Sequence, residues 1–247
     1  RHGVGAPAAA RSGVAHVVCG ARAPGQRNAG VAGGAVVAAR RNHPVGAAVR
    51  AAFLCGNGGA RGAARYPLLR VHRPADSGAA TKLLGALELE RDGDTVIVAV
   101  DDDIVYHRHT VRALVDGLAA NGGVGPTCFV CQYWPAWWPG VLKQRWRGRC
   151  NGFLNAYAAV AYRVAFFPDR SAWDFHAPGV PSAQCRLHDD VWLSGILYNQ
   201  GIRPYVVRPG FDSVVASLPH TKLSINSVKN TERDYRDPCI KFFNYFR

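Results

Sequence analysis

Thr95-Val96-Ile97-Val98-Ala99-Val100-Asp101-Asp102-Asp103 is the stretch on which the reading of this chain turns. Its first six residues are apolar or β-branched without interruption. Such a run predicts a strand covered on both faces, because a strand with one wet face would alternate. The run passes into three carboxylates with no turn residue between. Working outward, Asp92-Gly93-Asp94 breaks the chain just before it. Upstream, Leu83, Leu84, Ala86 and Leu87 recur at helical spacing and predict a helix over Thr81–Glu90. Downstream, Thr110–Ala120 reads as a second helix, closed by Asn121-Gly122-Gly123. Helix, buried strand, acidic turn and helix make the rhythm of an α/β sheet.

In open α/β sheets, ligands bind outside the carboxyl ends of the strands. Asp101, Asp102 and Asp103 fall at such an end, which marks them as a site and not as surface charge. Adjacent carboxylates repel one another. A divalent cation relieves that repulsion, and hard oxygen ligands suit Mg²⁺ or Mn²⁺.

Further along, Gly125–Tyr133 reads as a strand. It leads into an aromatic loop carrying Trp134, Trp137 and Trp138, followed by Lys143, Arg145, Arg147 and Arg149. The tryptophans either line an acceptor pocket, since sugars stack on indole faces, or pack the loop onto the domain. Asn151–Phe167 reads as a strand or a bent buried segment, and Pro168–Pro181 as a loop. Asp189–Gln200 predicts one helix with Gly201 ending it, Asp189 or His188 placed to cap it, and Val191, Trp192, Leu193, Ile196 and Leu197 facing the core. Pro204–Val207 reads as a closing strand. Seven cysteines are scattered through the chain. The odd number, with Cys128 and Cys131 as the one C-x-x-C pair, is read as buried thiols in preference to disulfides.

The first third is different. Ala, Gly and Arg fill 41 of the first 65 positions. Only short runs such as Val14–Cys19, Ala51–Cys55 and, just beyond, Leu68–Val71 suggest strands. Residues 1–66 therefore read as an atypical start, low in complexity or translated in an altered frame, and 67–247 as the catalytic core, together one compact domain. The net charge of +13 comes mostly from this start: residues 1–75 hold 11 Arg and no acid, while the rest holds 19 bases and 17 acids. A nucleic-acid groove is thus disfavoured. No run approaches the roughly 18 apolar residues of a membrane span. The chain begins at Arg1 and contains no Met, which reads as a fragment.

Three segments in order carry a resemblance: Asp76-x-Gly78-x-x-Thr81-Lys82-Leu83-Leu84, then Val96-Ile97-Val98-x-Val100-Asp101-Asp102-Asp103-Ile104-x-Tyr106, then Asp189-Asp190-Val191-Trp192-Leu193-Ser194. Over about residues 67–247 the chain resembles the GT-A nucleotide-sugar glycosyltransferases, family-2-like, of the small soluble type seen in microbes and large DNA viruses. The resemblance implies a GT-A fold with a mostly parallel central sheet flanked by helices. It implies transfer of a sugar from a nucleoside-diphosphate sugar, a UDP-sugar favoured, to an acceptor hydroxyl with inversion and with Mn²⁺ or Mg²⁺. Carried over by position, Asp103 is the metal ligand, and Asp101 and Asp102 contact the ribose or metal-bound water, with Asp101 a second candidate ligand. Asp76 and Lys82 lie in the segment that approaches the nucleotide. Asp190, or else Asp189, is the general base. His220 matches the family's metal-binding histidine; His107 and His109 are alternative metal neighbours, read in preference as surface residues. Two departures stand out. The first βαβ unit of the family is not legible in residues 1–75, and Ala158-Ala159 stand where relatives carry Gly.

Two other readings remain open at this level. Strand-end aspartates also serve metal-dependent phosphohydrolases and nucleotidyltransferases. A degenerate, non-catalytic transferase or a basic nucleic-acid-binding module is the third. A cytoplasmic location is favoured, and the Golgi lumen follows if an anchor precedes the fragment.

Overall fold

A computed structural model describes residues 15–18, 34–39, 69–72, 74–75, 77–101, 104–133, 141–169, 185, 188–217 and 231–243, and all that follows concerns these. The buried run forms β4 (Val96–Asp101), with Val96 to Val100 at most 6% exposed, as a strand covered on both faces must be. Ahead of it come β1 (Ala15–Val18), β2 (Gly34–Ala39), β3 (Leu69–His72) and α1 (Thr81–Leu89). Behind it come β5 (Ile104–Tyr106), α2 (Thr110–Ala120), β6 (Thr127–Cys128), β7 (Cys131–Tyr133), β8 (Leu142–Lys143), β9 (Gly148–Arg149), β10 (Phe153–Leu154) and β11 (Val160–Arg163). The described part closes with α3 (Asp189–Asn199), β12 (Tyr205–Val206), β13 (Val214–Ser217) and α4 (Thr231–Phe243).

The main sheet has eight strands in the order β3-β1-β2-β4-β11-β6-β12-β9. The fold is α/β, but the sheet is mixed where a mostly parallel one was expected. Only β1–β3 and β6–β12 pair in parallel. The cause lies in three strands. β2 runs against β1 and β4, and β11 runs against β4 and β6, so each turns two neighbouring pairs antiparallel, and β9 runs against β12 at the edge. β11 lies between β4 and β6 although both precede it in sequence, so it enters the sheet only after the chain has built β10 elsewhere. Gly125–Tyr133, expected as one strand, is divided: β6 joins the main sheet and β7 joins a small sheet with β10 and β8. β5 and β13 make a two-stranded ribbon. Ala51–Cys55 lies outside the described residues.

α1 packs across β1, β2 and β4, and α2 across β4, β6 and β11. Gly117 lets α2 approach closely, since a Cβ there would meet Val207 Cγ1 at 2.3 Å. α3 rests on β10 and on α4. A Cβ on Gly195 would fall 2.3 Å from the Phe243 ring, so α3 and α4 approach to glycine distance, and Trp192 meets Phe243 edge-on and stacks on Phe242. Trp192, Tyr162 and Phe167 are the largest fully buried side chains of a core spanning all these elements.

The cysteines depart from expectation. Cys131–Cys150 and Cys185–Cys239 form disulfides, and Cys128 is a free, buried thiol. The odd total hid them, because pairing partners are set by spatial approach and not by spacing along the chain. Among the described residues no helix is long and apolar enough to cross a membrane.

Candidate functional site

α1 begins where Thr81 Oγ1 accepts the Ser77 amide at 2.8 Å. One residue later the helix directs Lys82 inward. Its side chain is neither solvated nor free: it is 7% exposed, and its Nζ lies 2.6 Å from Asp101 Oδ1 and 3.2 Å from Asp189 Oδ2. The contact with Asp101 is a hydrogen bond. That with Asp189 is an ion pair without hydrogen-bond geometry. One ammonium therefore joins the C-terminal end of β4 to the N-terminus of α3, although Asp101 and Asp189 are far apart in sequence.

The electrostatics follow from burial. Desolvation pulls the lysine pKa down, but Asp101, Asp189 and Asp190 together outweigh it and hold the ammonium well above its usual value. The cluster has three carboxylates and one cation, so it stays rich in negative charge. Asp190 shows the result. Desolvation first, and then the Asp189 charge, raise its pKa well above the usual carboxylate range, while Lys82 and the Ala156 amide pull it back. Tyr162 and Cys128 beneath are pushed up as well, the thiol to about 12, by burial first and then by the Asp190 charge. Cys128 is thus protonated and unreactive at neutral pH.

Asp189 and Asp190 differ in surroundings. His188 occupies the cap position of α3 with no side-chain cap bond, and Asp189 does not cap the helix but turns to Lys82 in the core. Asp190 is half-buried. Its Oδ1 accepts the Ala156 amide at 3.0 Å, and its other oxygen has no hydrogen bond among the described residues. Two carboxylates in the first turn of α3 also meet the positive end of its dipole. Ser194, one turn on, fixes the helix by accepting the Leu154 amide at 3.0 Å.

The turn Ala156–Ala158 is the hub on the opposite side. It gives an amide to Asp190, and the Tyr157 carbonyl accepts the Tyr106 hydroxyl at 2.7 Å. That hydroxyl in turn accepts the Asp101 amide at 2.9 Å. Tyr106 therefore ties the end of β4 to the turn that holds Asp190, a role the sequence did not disclose beyond its place five residues after Asp101. Immediately past the turn, Ala159 takes φ 72°, ψ 143°, the one non-glycine residue with positive φ among those described. The backbone thus asks for glycine at one of the two positions where the resemblance led glycine to be expected.

Of the expected site residues, the fold brings Lys82, Asp101, Asp189 and Asp190 together. Asp76, Asp102, Asp103, Trp134, Trp137, Trp138 and His220 lie outside the described residues. His107 stacks on Phe211 at 4.1 Å, and the His109 ring lies tilted to the same ring at 6.4 Å. Among the described residues no three His, Cys, Asp or Glu side chains gather closely enough to hold a metal. Asp101 has Oδ1 on Lys82 and is 27% exposed on its side chain.

No protein-family model matches the chain, and no curated protein matches it.

Proposed function

We propose that this protein is a glycosyltransferase of the GT-A type, moving a sugar from a nucleoside-diphosphate donor to an acceptor hydroxyl. The observation that carries the proposal is the convergence of Asp101, at the end of a buried central strand, with Asp189 and Asp190 at the mouth of α3, through one buried lysine. A strand-end acid beside a second, half-exposed acid is what donor binding and acceptor activation need in one place. The motif order quoted above is the second support.

In this reading Asp190 is the base. Its raised pKa makes it a stronger proton acceptor than an ordinary carboxylate, and its free oxygen is the one that receives the proton. The acceptor oxygen, losing its proton to Asp190, bonds to the anomeric carbon as the bond from that carbon to the diphosphate breaks, and the nucleoside diphosphate leaves with the electron pair. Asp189 does not act directly; it is held by Lys82 in the core beside Asp190. Asp103 is the residue that would hold Mn²⁺ or Mg²⁺, with Asp101 behind it, and such a cation supplies neutralisation of the leaving diphosphate. Asp102 and Asp76 are placed with the ribose and nucleotide by the motif alone.

The test is a panel of UDP-, GDP- and CMP-sugars with Mn²⁺, read as donor hydrolysis and as protection against thermal unfolding. At least one donor should stabilise the protein in a metal-dependent way, and Asp103→Ala should remove that effect. No response to any donor sinks the proposal. Protection by free nucleotides with no sugar preference would favour the nucleotidyltransferase alternative.

A further inference from the structure

The chain between Leu142 and Arg149 crosses from the small sheet to the edge of the main one, since β8 pairs with β7 and β9 with β12. This crossing is anchored by hydrogen bonds and a disulfide. Buried Gln144 donates through Nε2 to the carbonyls of Arg149 at 3.1 Å and Trp146 at 3.3 Å, and its amide donates to the Cys131 carbonyl at 2.8 Å. The Cys131–Cys150 disulfide closes the segment. Around this anchor, Lys143, Arg145, Arg147 and Arg149 are exposed, as is Arg208, whose guanidinium donates to the Gln144 carbonyl at 2.5 Å. Arg203, on the neighbouring loop, lies over Tyr198 at 3.2 Å.

None of these six cations has a carboxylate partner among the described residues. The sequence shows why. No Asp or Glu occurs between Asp116 and Asp169, or between Asp190 and Asp212, and these are the stretches that build this edge. The crowding is felt: burial first, and the charge of Arg149 after it, lower the pKa of Arg203. Residues 76–247 are otherwise nearly balanced in charge, so the ledge concentrates positive charge that the rest of the core lacks. Trp146 stands in its middle, 49% exposed, with its ring edge-on to Tyr133 at 5.9 Å. The ledge also reaches the site. Lys143 lies 5.8 Å over the ring of Tyr157, in the turn that holds Asp190.

We infer that this ledge binds an anionic glycan, a sugar chain carrying carboxylate or sulfate groups, as the extension of the acceptor. Its cations pair with the acidic groups, and the Trp146 indole offers a face for a sugar ring. Among the described residues the ledge shows one exposed indole, which fits this better than the succession of aromatic platforms used to hold single-stranded nucleic acid. Identifying the glycan as acceptor rests on the sugar-transfer reading; the binding itself does not.

The experiment measures affinity for heparin and polygalacturonate against neutral dextran, over a range of salt, for the wild-type chain and for Arg145→Gln/Arg147→Gln/Arg149→Gln. The substituted side chains are exposed, and an unchanged melting curve checks the fold. Comparison of the two proteins cancels any binding through the arginines of residues 1–75. The triple variant should bind either acidic glycan at least about tenfold more weakly, with the slope of log affinity against log salt reduced by about two to three. Trp146→Ala should weaken polygalacturonate binding while leaving that slope unchanged. Dextran should not bind. Equal affinity of variant and wild type overturns the inference, as does a stronger effect of the variant on binding to single-stranded DNA or to phosphatidylserine vesicles than on binding to the glycans. Binding needs no donor, so loss of donor turnover with the ledge intact would fault the transferase reading alone, and the converse would fault the ledge alone.

Discussion

Replacing Lys82 by Met removes the one cation from the acidic cluster while keeping the volume of the side chain. Asp189, 8% exposed on its side chain, then loses its charge partner in the core. Asp101 is 27% exposed and falls back on water. Breaking a buried pair from one side costs about 3–5 kcal/mol. The buried acid has an escape, however: it can take up a proton. At pH 7, protonating a carboxyl of ordinary pKa costs about 4 kcal/mol, and at pH 5 only about 1.5 kcal/mol, from 1.36 kcal/mol per pH unit. The expected loss is therefore about 3–4 kcal/mol at pH 7 and no more than about 1.5 kcal/mol at pH 5. The sign is consistent. In the variant the folded-state pKa of the acid lies above its unfolded value, so the protonated fold is at full stability below the unfolded pKa and weakens as pH rises towards the folded one. Urea unfolding of both proteins, followed by far-ultraviolet circular dichroism at pH 5, 6 and 7, reads the gap directly. In a thermal melt at pH 7 it amounts to about 6–15 °C. A gap below about 1 kcal/mol at pH 7, or the same gap at pH 5 and pH 7, would refute the view that Lys82 is the charge partner of Asp189.

Under the proposed reaction, Asp190→Asn should lower sugar transfer by about 10²–10⁴-fold with little effect on donor binding. In the wild type the base must be ionised, so kcat/KM should fall as pH drops through a value above the ordinary carboxylate range, in keeping with the raised pKa of Asp190; an acid limb near pH 4 would count against it. Ala159→Gly should stabilise the protein by about 1–2 kcal/mol in denaturant unfolding, because it relieves a backbone conformation that favours glycine. Under oxidising conditions, mass spectrometry after alkylation should find Cys131–Cys150 and Cys185–Cys239 linked and Cys128 as a thiol. From sequence separations of 19 and 54, the chain-entropy model assigns the bridges about 3 and 4 kcal/mol, so a reductant should lower the melting temperature well before Cys128 reacts.

The strongest local signals were legible in the sequence for a physical reason. β4 needed only an unbroken apolar run, and α1, α2 and α3 needed only a 3.6-residue period, with Gly122 and Gly123 after α2 and Gly201 after α3, all three with positive φ. These are properties of a dozen neighbouring residues. The position of Asp101 at a strand end follows from them, and so does that of Asp190 in the first turn of a helix. Strand order is not such a property. That β2 and β11 enter against their neighbours, and that Gly125–Tyr133 serves two sheets, depends on which surfaces can be covered at once. α4 was not read at all: its 13 residues include Pro238, and it is held by the Cys185–Cys239 bridge and by Phe242 and Phe243 against Trp192.

The same division runs through the site. The sequence by itself supplied the acids and their likeness to a sugar-transferring enzyme. Only the tertiary structure decided that Lys82 is shared between Asp101 and Asp189, because an ion pair is made by distance and burial, and neither is encoded locally. The same contact separates the two acids of α3. Adjacent and chemically identical in the sequence, they become different groups in the fold, one buried against an ammonium and the other reaching the surface with one oxygen bound to the Ala156 amide.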